Sequence, residues 1–142
     1  MRIEPAAARD LASICALLRA SDLPTDGIAE HVGTTLVARG DAGVVGCVAL
    51  ELYGDAALLR SLAVEPSRRG TGLGCGLVEA ALSLGRQSGV ETLCLLTTTA
   101  PDFFARHFAF RRVARDEVPA SVRRSIEFVS ACPATAQAML FP

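Results

Sequence analysis

The strongest constraint on this chain is a set of glycines at alternate positions, placed where an apolar strand gives way to an apolar-faced helix. The stretch reads Leu62-Ala63-Val64-Glu65-Pro66-Ser67-Arg68-Arg69-Gly70-Thr71-Gly72-Leu73-Gly74. Glycine lets the main chain bend sharply and lets a ligand approach it closely. The first N–H groups of a helix lack internal partners, and the helix dipole adds partial positive charge at the same end. Together they make an anion site suited to a pyrophosphate, with Arg68 and Arg69 as neighbouring cations. Five glycines between positions 70 and 85 would otherwise weaken a helix for no structural return. The dinucleotide pattern G-x-G-x-x-G does not fit, because Cys75 and Leu77 stand where its last glycine is needed. All basic residues are arginine and none is lysine, which excludes a Walker-type phosphate loop and a Schiff-base lysine.

Around this turn the periodicities outline an α+β fold. Met1 to Ile3 suits a short strand, and Ala7 to Ala20 carries Leu11, Ile14, Cys15 and Leu18 at helical spacing. Ser21 to Thr25 breaks the pattern, and a helical turn follows through Ile28 to Val32. Thr35 to Arg39, Val44 to Tyr53 and Ala57 to Val64 read as strands of an antiparallel meander, joined at Gly40-Asp41-Ala42-Gly43 and Gly54-Asp55. Leu73, Leu77, Ala81 and Leu84 share one helical face, and Gly89 is placed to stop that helix. Thr92 to Thr98 is short and mostly apolar, as a strand buried on both faces should be. Strand, glycine turn, helix and strand make a βαβ unit from about Ala57 to Thr98, so parallel pairing is required somewhere. A further helix opens at Ala100-Pro101-Asp102. Phe110 to Arg115 and Ala134 to Phe141 suit closing strands, with a short helix after Pro119. No repeat or linker interrupts residues 1–142, so one domain with a mixed, mostly antiparallel sheet is expected.

Composition narrows the function classes. Just over half of the 142 residues are apolar, a fifth are charged, and net charge is −1 with no like-charge block, which argues against a nucleic-acid partner. The apolar runs are too short to span a bilayer, so no membrane partner is expected. No long apolar stretch follows residues 1–5, so no secretory leader is read and a cytoplasmic location is expected. The five cysteines lie far apart with no C-x-x-C pair, which suits reduced thiols and no metal.

The glycine turn resembles the acyl-CoA signature of the GCN5-related N-acetyltransferases, in which Arg or Gln precedes x-x-Gly-x-Gly or Ala. Here it reads Arg69-x-x-Gly72-x-Gly74, after the family-like Leu62-Ala63-Val64-x-Pro66. The tail Val118-Pro119-x-x-Val122-x-x-Ser125-x-Glu127-Phe128-x-Ser130-x-Cys132-Pro133 is similar to that of arsinothricin-type resistance N-acetyltransferases. So is Glu51-Leu52-Tyr53-Gly54-Asp55 followed by Leu59-Arg60-Ser61-Leu62. N-acetylglutamate synthase domains share the Arg-Ser-Leu-Ala-Val strand. The resemblance implies acetyl-CoA as cosubstrate and a small amine as acceptor, here the α-amine of glutamate or of a toxic mimic. It further implies that Leu62 and Val64 meet the pantetheine arm through main-chain groups. Arg69, Gly70, Thr71, Gly72, Leu73 and Gly74 would hold the pyrophosphate, and Phe104 would wall the cofactor. The arm would lie in a splay between the strands ending near Val64 and beginning near Thr92, with the thioester meeting the amine near Thr97 and Thr98. Self-association as a homodimer stays open.

One departure concerns the family's Phe-Tyr-x-x-x-Gly-Phe helix, whose tyrosine protonates the departing thiolate. Aligning Ala109-Phe110 with Gly-Phe puts Phe104 and Ala105 at the Phe-Tyr positions, and the chain's one tyrosine is Tyr53. Tyr53 is therefore the candidate acid. Glu51, near a strand end, is the candidate base, against a reading as a solvated edge residue; Glu65 is expected to face solvent. Arg60 sits in an apolar strand where an unpaired charge would be costly. It reads as a clamp for a substrate carboxylate or phosphinate, as a surface arginine, or as the partner of Glu51 or Asp55. His31, His107 and Cys75 read as structural. A protein N-terminal or polyamine acetyltransferase, or a non-catalytic acyl-CoA sensor, would share the cofactor features.

Overall fold

Alternation of apolar side chains from Thr35 to Val64 supplies two hydrophobic faces, and helices cover both. Residues 2–142 are described by a computed structural model. Met1, which opens the expected first strand, lies outside the described residues. The strands are β1 (Arg2–Pro5), β2 (Thr35–Gly40), β3 (Gly43–Tyr53), β4 (Ala56–Val64), β5 (Thr92–Thr97), β6 (Arg111–Val113) and β7 (Gln137–Phe141). The helices are α1 (Leu11–Ala20), α2 (Leu73–Gln87) and α3 (Pro101–Phe108). The sheet order is β1-β2-β3-β4-β5-β7-β6, and the β4–β5 pair is parallel while the other pairs are antiparallel. This is the expected mixed sheet around a βαβ unit, with one addition: the last strand in the chain inserts between β5 and β6.

Each face has its own core. Val48 and Leu50 of β3 point to α2, where they meet Leu77, Val78 and Ala81, while Cys47 and Ala49 point to α1 and meet Ile14 and Leu18. This is the period-two alternation of a sheet covered on both sides. Leu77 is fully buried and reaches the sheet at Gly46, where a Cβ would stand 2.9 Å from a Leu77 methyl. Truncating such a leucine to alanine costs about 2–5 kcal/mol. Two of the five glycines from 70 to 85 thus serve packing rather than a ligand: Gly76 lies against Ile3, and Gly85 against Val90 and Leu50. At the start of α1, the Ala7 amide donates to Asp10 Oδ2 at 2.8 Å, and both Asp10 oxygens accept from the Arg39 fork at 2.9 and 2.8 Å.

The third cluster matters most for the site. The irregular segment from Val118 to Ala131 folds over β4, β5 and β7 and buries Val118 and Val122 against Leu58, Cys94 and Leu140. The short helix expected after Pro119 is a single 3-10 turn, Val122–Arg124, and a π-helical turn, Glu127–Ala131, follows it. No helix among the described residues is long and apolar enough to cross a membrane.

Candidate active site

The parallel β4–β5 pairing runs through Ala56–Thr92, Ala57–Leu93 and Leu58–Cys94, and then stops. β4 continues to Val64 and β5 to Thr97, so the two strands separate over their second halves. A bulge in β4 contributes. Cys47 faces Ala63 and Ala49 faces Arg60, so β4 carries one extra residue opposite Val48. Ser61 takes a left-handed φ of 61° there, which costs a non-glycine residue on the order of 1 kcal/mol and persists because the flanking pairs fix it. The opening is a cleft of about 790 Å³, walled by Leu59 to Val64 on one side and Leu95 to Ala100 on the other. Main-chain groups of β4 facing the opening have no β5 partner, leaving them available to an extended amide-bearing ligand.

The glycine turn closes one end of this cleft. Gly70 and Gly72 have φ of 78° and 86°, and Gly72 caps α2. The first internal bond of the helix runs from the Gly76 amide to the Gly72 carbonyl at 3.0 Å, which leaves the amides of Leu73, Gly74 and Cys75 without helical acceptors. Gly74 lines the cleft, and a Cβ there would meet only Phe103 and Val64 at 3.9 and 4.0 Å. The Leu73 side chain is buried in the core, so only its amide can serve a ligand. Arg69 lines the cleft and donates from Nε to the Val64 carbonyl at 3.2 Å. Arg68 turns away and reaches Gly40 in the β2–β3 turn, so one of the two cations expected beside the phosphates lies elsewhere.

At the other end a network of charged groups is buried. Glu51 is 1% exposed and Arg60 is 3% exposed, and they sit on neighbouring strands as a diagonal pair. Arg60 Nη1 donates to Glu51 Oε2 at 2.8 Å, Arg60 Nε donates to Ser61 Oγ at 2.9 Å, and the Tyr53 hydroxyl donates to Glu51 Oε1 at 2.5 Å. His31 Nε2 stands 3.7 Å from Glu51 Oε2, so this histidine is not isolated as its sequence context suggests. Burial pushes the Glu51 carboxyl upward, but hydrogen bonds from Ser125, Tyr53 and Arg60 outweigh it and hold the group below its ordinary value. Burial together with the Glu51 charge raises Tyr53 to about 12.

Glu127 is the contrasting member. It arrives from the irregular segment over β4, is 5% exposed and lines the cleft. Its Oε2 has no hydrogen-bond donor among the described residues; the nearest cation, Arg60 Nη2, is 3.7 Å away. A buried acceptor left unpaired costs about 1–3 kcal/mol. Burial lifts the Glu127 carboxyl above its ordinary value, against the pull of Arg60 and a hydrogen bond with Cys132, and with help from Glu51 and Asp26.

Of the residues singled out in the sequence, Arg60, Leu62, Val64, Arg69, Gly74, Thr97, Thr98 and Phe104 line the cleft together. Gly70, Thr71 and Gly72 are not among the residues that line it; they make the turn between Arg69 and the start of α2. Two corrections follow for the chemistry. Glu51 and Tyr53 do not line the cleft: the carboxylate already holds two donors and the phenol is raised, so neither suits the base or acid role expected of it. Arg60 does not offer a free fork, because Glu51 occupies one arm of it; of the alternatives open in the sequence, the pair with Glu51 is the one formed. Thr97 also uses its hydroxyl, accepting the Ala100 amide at 3.0 Å at the turn into α3. Glu127 carries no role in the sequence reading. Its motif, Ser125-x-Glu127, gives no periodic signal of burial; only the fold over β4 brings it to the cleft.

Comparison with known proteins places this geometry in context. A family model described as an acetyltransferase (GNAT) domain matches residues 31–111. An amino-acid acetyltransferase of Mycobacterium tuberculosis is 36% identical over 80 residues, covering 56% of this chain and 45% of the relative. An uncharacterized N-acetyltransferase of Chlorobaculum tepidum is 32% identical over 100 residues, covering 70% of this chain and 63% of the relative. The matches thus span about half the length of these curated relatives. Among solved structures, Rv2747 of Mycobacterium tuberculosis, in complex with CoA and one further ligand, superposes with a TM-score of 0.82 at 25% identity, covering 99% of this chain and 98% of that one. The N-acetylglutamate synthase of Neisseria gonorrhoeae, complexed with coenzyme A and N-acetyl-glutamate, shares the fold with a TM-score of 0.84 at 23% identity, over 98% of this chain and 34% of that one.

Proposed function

Because this chain belongs to the acetyltransferase (GNAT) domain family, which uses acetyl-CoA, we propose that it transfers an acetyl group from acetyl-CoA to the α-amine of a small amino acid. The observation that carries this reading is the loss of β4–β5 pairing past Leu58 and Cys94, directly beside the unpartnered amides of α2. The free main-chain edge of Leu62 to Val64 suits the amides of a pantetheine arm. The amides of Leu73 and Gly74, with Arg69, suit the pyrophosphate. Phe103 and Phe104 wall the same cleft. In this reading the thioester lies between β4 and β5, and the amine enters from the side of Asp26 and Glu127. CoA thiolate is a tolerable leaving group, and no phenol serves it here: Ala105 stands at the expected tyrosine position, and Tyr53 is bonded to Glu51.

For the acceptor, the finer proposal is an acidic amino acid or a glutamate-mimicking antimetabolite of the arsinothricin or phosphinothricin kind. The tail and strand resemblances support it, as does the similarity to an amino-acid acetyltransferase and to an N-acetylglutamate synthase. Arg60 Nη2 is the donor left for a substrate anion, since its present acceptors, the Pro24 carbonyl at 3.5 Å and Glu127, are distant. A second reading has its own observation. Asp22, Asp26 and Glu127 line the cleft, and Arg60 is already neutralised, which suits a cationic amine such as a polyamine. Thiol release from acetyl-CoA, measured with glutamate, a phosphinothricin-like amino acid, spermidine and a peptide, separates these readings. Turnover with the first two is expected. Preference for spermidine would favour the second reading, and CoA binding without thiol release from any amine would mark a sensor.

A further inference from the structure

We propose that Glu127 is the catalytic base that takes the proton from the acceptor ammonium before it attacks the thioester; this rests on the acetyltransferase reading above. A protonated amine has no lone pair, so a group at the acceptor end must first accept a proton. The candidates are few and the geometry separates them. Glu51 has both oxygens occupied by Tyr53 and Arg60 and does not reach the cleft. Asp22 and Asp26 are exposed at the rim, where water competes for them. Glu127 alone among the cleft carboxylates is buried, and its Oε2 has a vacant acceptor position. An incoming ammonium is the donor that position lacks.

The surroundings favour the same role. Arg60 of β4 faces Glu127 at 3.7 Å, close enough to favour the carboxylate but too far to fill it, because Glu51 of β3 holds the other arm of the guanidinium. Asp26 from the loop after α1 and Glu51 add negative charge, and Cys132 from the segment beyond contributes a thiol. Their sum, dominated by burial, lifts the Glu127 carboxyl, which brings a carboxylate nearer the range in which a base works at neutral pH. The proton balance closes. R–NH3+ and the Glu127 carboxylate give R–NH2 and a neutral carboxyl. The amine nitrogen forms the C–N bond, the C–S bond breaks, one of the two N–H protons of the attacking amine leaves with the CoA thiolate as thiol, and the other stays on the amide nitrogen. Glu127 returns its proton to water as product departs.

The test compares wild type with Glu127→Gln and Glu127→Asp by thiol release across pH 6 to 10, with acetyl-CoA affinity measured by calorimetry. Glu127→Gln keeps the shape and should lose about a hundredfold in kcat/KM at pH 7 while binding acetyl-CoA normally. The deficit should shrink to about tenfold or less near pH 9.5, because an acceptor that is already a free amine needs no base. Glu127→Asp should recover part of the rate. A constant deficit at all pH values, or no deficit, in folded Glu127→Gln would overturn the assignment while leaving the acetyltransferase reading intact. Inert wild type with every amine would overturn both. Should Glu127→Gln fail to fold, Glu127→Asp with wild-type kcat/KM and pH profile would overturn the assignment, and a lowered rate that recovers at high pH would support it.

Discussion

The two ends of the cleft are built in opposite ways. The end proposed for the cofactor uses main chain: a bulged strand, alternate glycines and the first turn of α2, all within Leu59 to Gly74. The end proposed for the acceptor uses side chains from four parts of the chain: the buried Glu51 and half-buried Tyr53 of β3, the buried Arg60 of β4, the exposed Asp26, and the buried Glu127 from the irregular cover. Main-chain recognition tolerates almost any side chain but needs glycine at fixed places. A buried charge network needs particular side chains and almost nothing of the local backbone. The first is therefore robust to mutation except at glycine, and the second is fragile wherever one buried charge is paired with another.

The largest effect should come from breaking the network at its centre. Glu51→Ala leaves the Arg60 guanidinium buried with only a distant carboxyl, and removing one partner of a buried pair costs about 3–5 kcal/mol. Urea denaturation should show that loss, while acetyl-CoA affinity of the folded fraction stays near wild type. Unchanged stability would mean that the acceptor end does not depend on its charges.

The cofactor end is best broken at Gly74, where the backbone is helical and a Cβ meets no clash in the free protein. Valine is a somewhat better helix residue than glycine, so the Gly74→Val melting temperature should not fall. Acetyl-CoA affinity should drop by about ten- to a hundredfold, because the side chain fills the cleft beside the amides proposed to hold the pyrophosphate. Gly72 is a poorer probe: its φ of 86° strains any substitute and confuses folding with binding. Normal calorimetric affinity in folded Gly74→Val would show that the ligand does not approach this main chain.

A smaller effect should follow Tyr53→Phe, which removes one hydrogen bond to a buried carboxylate and costs about 1.5 kcal/mol at neutral pH. The sign with pH is fixed by Glu51, whose folded value is depressed. Its stabilisation is present above the unfolded value of 4.5 and is lost as pH falls through the lower folded value. The gap between wild type and Tyr53→Phe should therefore narrow in acid, and a gap independent of pH would remove Glu51 from the account.

The smallest expected effect has the opposite sign. Glu127 has a raised folded value, so the unfolded state releases its proton first, and stability falls as pH rises from 4.5 towards that folded value. Glu127→Gln should accordingly be more stable than wild type at pH 7, by about 1 kcal/mol, with the gain gone below about pH 4. Thermal melting at the two pH values measures it. A variant less stable at pH 7 would assign Glu127 to the same structural role as Glu51 and erase the contrast.

Legibility in the sequence followed the same division. Strand alternation from Thr35 to Val64 and the helical face of Leu73, Leu77 and Ala81 were readable because each burial pattern repeats within one element. The glycine turn was readable because positive φ at Gly70 and Gly72 is a local demand. Arg60 reads in the sequence as a charge in an apolar strand, with a substrate anion, Glu51 and Asp55 all open as its partner. Which partner forms depends on strand register, which pairs Ala49 with Arg60 and brings Glu51 alongside.

What the sequence determined by itself was the fold class, the βαβ unit and the place of the glycine turn, because periodicity and glycine chemistry act over a few residues at a time. What only the tertiary structure decided was the state of the charges. Glu51 and Tyr53 became a closed internal set, and Glu127, 76 residues beyond Glu51 in the chain, became the carboxylate facing the cleft. Burial and neighbouring charge set the character of an ionisable group, and both are properties of the packed molecule that no short stretch of chain contains.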